Sequence, residues 1–102
     1  MTNEIIIKKL QNKNLIKKLK DNRIKHLWLF GSFAKWIADE DSDIDLLYEY
    51  DSNLPNNWWN FGLFGCLGFL EESFQKKIDF ISVDSIHPDI KNEILSSKIQ
   101  IW

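Results

Sequence analysis

Between Asp43 and Tyr50 the chain alternates: Ile44, Leu46, Tyr48 and Tyr50 fall at every second position, with Asp43, Asp45 and Glu49 between them. Only an extended strand turns that period into one apolar and one polar face, so the segment must pair in a sheet and bury its apolar side. Leu47 alone breaks the pattern. At a rise of about 3.3 Å per residue, Asp43 and Asp45 project from the same face with Cβ atoms roughly 7 Å apart, near enough to share a metal ion.

The flanking segments supply the rest of a layered fold. Residues 3–22 carry Ile6, Leu10, Leu15, Ile16 and Leu19 near helical spacing with lysines on much of the other face, which predicts one amphipathic helix ending at Asp21-Asn22. Lys25 to Phe30 is a short apolar run closed by Gly31 and reads as a buried strand; Ser32 to Ile37 reads as a short helix. Trp58 to about Lys76 is long and apolar enough for a helix, despite Gly62, Gly65 and Gly68. Residues 76–83 form a second strand bearing Asp79, and a helix opening near Pro88 leads to a terminal extended piece. The order predicts an α/β (α+β) fold, helices flanking one small mixed β-sheet.

Length and charge narrow the function. A chain of 102 residues is expected to form one domain, 1–102, with a single modest core. Cys66 is the only cysteine, so neither an internal disulfide nor a cysteine metal site is available, and its apolar surroundings suit a buried thiol. The N-terminus lacks a signal-type apolar core and no run approaches a membrane span, so a cytoplasmic protein without membrane contact is expected. Most lysines and Arg23 precede residue 26, while Asp39, Glu40, Asp41, Asp43, Asp45, Glu49 and Asp51 crowd together. The lysine-rich helix is taken as a solvated face rather than a nucleic-acid surface. His26 and His87 stand apart from the acids and read as structural or surface residues.

Asp43 and Asp45 are hard oxygen donors with no histidine or cysteine near them in sequence, a set suited to Mg²⁺ or Mn²⁺ rather than zinc. Gly31 and Ser32, between a strand and a helix, place backbone N–H groups and a hydroxyl where an anion can sit, and Lys35 can add a positive charge. Phosphates at Gly31-Ser32 and magnesium between them and Asp43/Asp45 fit a nucleoside triphosphate. Asp79, in the only other acid-bearing strand, would serve a second metal ion and an attacking hydroxyl.

Gly31-Ser32-Phe33-Ala34-Lys35 followed by Asp41-Ser42-Asp43-Ile44-Asp45-Leu46-Leu47 resembles the nucleotidyltransferase signature of the DNA polymerase β superfamily, in particular its minimal nucleotidyltransferases. The resemblance runs from about residue 3 to the C-terminus. It implies the superfamily's mixed-sheet fold, two Mg²⁺ ions and ATP as substrate, with Gly31 and Ser32 as the phosphate-holding pair. Asp43, Asp45 and Asp79 match the metal-binding and catalytic carboxylates. Lys35 stands where the family often has arginine, and Trp36 where glycine is usual.

Members of this branch pair with a helical HEPN-type toxin as its antitoxin and can adenylylate a toxin tyrosine, so the resemblance implies that partner, in a hetero-oligomer, and that reaction. The length agrees, since the chain has no room for a second domain to carry an acceptor. Trp58, Trp59, Phe61, Phe64 and Trp102 are candidates for an apolar surface that receives one, with core packing the rival role. Two other readings compete: a binding-only antitoxin with a vestigial site, and a small-molecule or RNA nucleotidyltransferase that works with a separate helical subunit.

Overall fold

In chain order the elements are α1 (Asn3–Leu10), α2 (Lys13–Asp21), β1 (Ile24–Phe30), α3 (Gly31–Ala34), β2 (Ile44–Tyr50), α4 (Leu63–Phe74), β3 (Ile78–Ser82), α5 (Pro88–Ser97) and β4 (Ile99–Gln100), with a 3-10 turn at Val83–Ser85. The structure is a computed structural model. It describes residues 3–34, 38, 41–51, 53, 54, 58 and 62–102, Ser32 and Ile90 through their backbone alone. The strands form one mixed sheet in the order β3-β2-β1-β4, with β1 antiparallel to β2 and to β4, and β2 parallel to β3. Parallel pairing needs a crossover, and α4 lies within it.

The segment expected to be one helix over residues 3–22 is two. α1 ends at Leu10, and Asn12, in an extended conformation, caps α2 by accepting from the backbone N–H groups of Asn14 (2.9 Å) and Leu15 (3.3 Å). Helical spacing of the apolar residues survives the break because both pieces face the same core, which is why periodicity alone did not reveal it. Asparagine at this position serves the otherwise orphaned N–H groups of the second helix. Asn12→Ala is expected to lower the unfolding free energy by about 1 kcal/mol, read as an earlier midpoint in urea.

On one face of the sheet Ile44, Leu46 and Tyr48 meet Leu27 and Leu29 of β1 and the apolar sides of α1, α2 and α4, including Ile6, Leu19, Leu70 and Phe74. The other face is not wholly polar, which corrects the alternation expected for β2. Leu47 is fully buried there with Phe30 and with Ile94 of α5, and Trp28 and Ile81 pack around them. An apolar residue out of phase is what a sheet covered on both sides requires. α5 begins as expected, with Pro88 in its first turn and the His87 ring nitrogen Nδ1 accepting from the Asp89 N–H. His87 is therefore a cap, and His26 lies beside Glu49 and the Trp102 carbonyl.

Trp58 belongs to the core rather than to an exposed patch: it is 2% exposed, its indole N–H donates to the Asn22 carbonyl, and it lies near Tyr48 and Tyr50. Gly62 is needed beside it, since a Cβ there would overlap the indole. The helix anticipated from Trp58 to Lys76 is described as α4 from Leu63, and Trp59 and Phe61 lie outside the described residues. Cys66 is fully buried, and burial pushes its thiol up to about 11, which leaves it without thiolate character at neutral pH. No helix among the described residues is long and apolar enough to cross a membrane.

Candidate active site

The sheet register assembles the acids. Asp45 is opposite Phe30 on β1 and Asp79 on β3, so the parallel pairing sets the two aspartates side by side. Both point away from the main core, since their neighbours Ile44, Leu46 and Ile78 fill it. α5 covers Leu47 further along this face and leaves the Asp45 and Asp79 carboxyls partly open to solvent. Asp43 lies just before β2 rather than within it, a correction to the expected strand boundary, yet its charge still reaches Asp45.

This crowding has an electrostatic cost. Burial, a hydrogen bond with the Asp79 carboxyl and the negative charges of Asp79 and Asp43 together push Asp45 up to about 7. Asp45 thus keeps its proton up to about pH 7, where an isolated aspartate would have lost it. Lys77, immediately before β3, places Nζ 4.0 Å from Asp43 Oδ2, and Lys76 Nζ donates to the Ser42 carbonyl at 3.2 Å. The Lys77–Asp43 pair is largely exposed and adds little stability. Its effect is to offset part of the local negative charge. Neither lysine was singled out from the sequence, where both fall within the strand expected over residues 76–83; the strand instead begins at Ile78 and leaves them just before it.

Gly31 ties this cluster to α3. Its φ is +71°, in the left-handed region, and a Cβ would overlap the Asp45 carboxylate, lying 2.9 Å from its Cγ. Glycine is therefore required twice over, for the backbone turn and for the close approach of Asp45. Ser32 follows it in α3, whose first backbone N–H groups lack intrahelical acceptors. The buried Asn3 side chain donates to the Phe33 carbonyl and anchors α3 to α1. Lys35 and Trp36 lie outside the described residues, as do Asp39 and Glu40.

Among the described residues no three His, Cys, Asp or Glu side chains already stand as a metal cage. The donor chemistry nonetheless fits a hard divalent cation: Asp43, Asp45 and Asp79 are all oxygen donors, and the crowding that favours a proton on Asp45 is relieved equally by a cation.

The comparisons with known proteins agree with this arrangement of helices and strands. Residues 13–102 match the family Polymerase beta, Nucleotidyltransferase. The chain belongs to this family. Two candidate protein adenylyltransferases of Methanocaldococcus jannaschii are relatives of this nucleotidyltransferase. One is 36% identical over 86 residues, covering 81% of this chain and 83% of its own. The other is 32% identical over 78 residues, covering 76% and 80%. Among solved structures, a minimal nucleotidyltransferase candidate has a TM-score of 0.76 at 21% identity, covering 97% of this chain and 95% of its own. A toxin-antitoxin structure with AMP-PNP has a TM-score of 0.67 at 23% identity, covering 89% and 73%. A tri-AMPylated Shewanella oneidensis HEPN toxin in complex with its MNT antitoxin has a TM-score of 0.61 at 21% identity, covering 92% and 71%. These likenesses confirm the polymerase β-type nucleotidyltransferase fold.

Proposed function

We propose that this nucleotidyltransferase moves AMP from ATP to a tyrosine hydroxyl of a HEPN-type toxin and acts as that toxin's antitoxin. The observation that carries the reading is the set of Asp45 and Asp79 side by side with Gly31 pressed against Asp45, which joins the strand-to-helix turn to a carboxylate cluster. The protein adenylyltransferase names of the relatives and the AMPylated toxin complex among the structural neighbours support it.

Asp43 and Asp45 would hold Mg²⁺, with Asp79 completing a second position. When bound, the ion neutralises triphosphate charge and fixes the line of attack. The backbone of Gly31 and Ser32, with Lys35, would orient the phosphates. Asp79 would take the acceptor's hydroxyl proton on a carboxylate oxygen as that hydroxyl oxygen bonds to the α-phosphorus. The bond from the α-phosphorus to the bridging oxygen then breaks and pyrophosphate leaves.

The test is incubation of the chain with α-labelled ATP, Mg²⁺ and the neighbouring gene product. Label is expected on a toxin tyrosine, and Asp43→Asn is expected to cut transfer by about 10²-fold or more. Label that never reaches the toxin, or undiminished transfer by the variant, overturns the enzymatic reading.

A further inference from the structure

A cavity of about 350 Å³ lies away from the acids, between the α1–α2 corner and α4. Leu15, Phe69 and Phe74 give it an apolar lining, Lys8, Lys9 and Asn12 a polar one, and no carboxylate is among its described lining residues. Lys9 Nζ stands 5.1 Å from the centre of the Phe74 ring and donates to the Ser73 carbonyl at 2.8 Å; Lys18 Nζ stands 5.3 Å from the centre of the Phe69 ring. The positive end of the α2 dipole opens on the same wall, at Asn12. The lysines read from sequence as a solvated face therefore frame an apolar hollow, and the charged residues among its described lining, Lys8 and Lys9, are both positive.

The apolar strip continues beyond the hollow. Ile5 is exposed one turn before Lys8 and Lys9 on the same stripe of α1, and a Cβ at Gly65 or Gly68 of α4 would meet nothing within 4 Å among the described residues.

We propose that this groove docks an acidic amphipathic segment of a partner protein, one large apolar side chain seated among Leu15, Phe69 and Phe74 and flanking carboxylates meeting Lys8 and Lys9. The proposal is independent of the reaction assigned to the aspartates.

The test is an NMR titration of the ¹⁵N-labelled full chain with three synthetic helix-forming peptides. One carries a single phenylalanine among glutamates, one has alanine in place of that phenylalanine, and one has lysines in place of the glutamates. The Asn12, Leu15, Phe69 and Ser73 amide signals are expected to shift with the first peptide alone. The double variant Lys8→Glu/Lys9→Glu is expected to weaken that binding at least tenfold while nucleotidyl transfer holds. Absence of shifts, shifts at other residues, or equal binding of the lysine peptide overturns the proposal. Shifts at these residues produced by raising protein concentration alone would assign the groove to a second copy of the chain and overturn it as well.

Discussion

Asp45→Asn is expected to lower nucleotidyl transfer by about 10³-fold while making the metal-free protein more stable than wild type near neutral pH. Both effects come from the same crowding. In the unfolded chain Asp45 loses its proton near pH 4, whereas in the folded chain burial and Asp79 hold that proton up to about 7. Folding therefore takes up a proton between these values, and stability falls as pH rises through that window. Asp45 is partly open to solvent, so the loss is discounted to about 1–2 kcal/mol, or roughly 5–10 °C in Tm for a domain of this size. Thermal melts at pH 4 and pH 8 without metal check this: wild type should lose Tm across the range and the variant should lose less. Mg²⁺ should restore wild-type Tm at pH 8 and do little for the variant. An unchanged gap between the two proteins across pH would refute the electrostatic account.

Gly31→Ala is expected to be nearly as damaging to transfer as loss of Asp45 itself, although alanine adds only a methyl group. At φ +71° any residue with a Cβ is strained, and this Cβ would lie where the Asp45 carboxylate sits. The carboxylate must rotate away or the α3 turn must open. A stability loss of about 1–3 kcal/mol is expected, together with a fall in transfer of about 10²-fold or more. Mn²⁺ titration separates the two effects: a variant that melts earlier yet binds Mn²⁺ as wild type does would show that Asp45 was not displaced. Chemical denaturation and single-turnover labelling supply the other two quantities.

Much of the layout was legible because it rests on short-range pattern. The period of two in β2, the apolar run of β1 closed by Gly31, and Pro88 at the start of α5 each express a local backbone preference. Long-range contacts were legible only in part. Asp79 was singled out as the carboxylate of a second strand, but its place beside Asp45 depends on a parallel register that no local signal encodes. The break at Asn12 was hidden because α1 and α2 keep the same apolar phase. Leu47 looked misplaced until α5 covered it, and Trp58 looked available for a partner until the Asn22 carbonyl and the tyrosines enclosed it. Phe64 kept the exposure expected of a surface aromatic.

β3 ends the row of strands on its side, and an outermost strand of Ile78, Phe80 and Ile81 is of the composition that recruits foreign strands into aggregates. Asp79 interrupts that apolar run, and Lys76 and Lys77 stand at its start. The carboxylate that crowds Asp45 thus also interrupts an aggregation-prone edge, so resistance to strand addition and the chemistry proposed for Asp79 place the same demand on one residue.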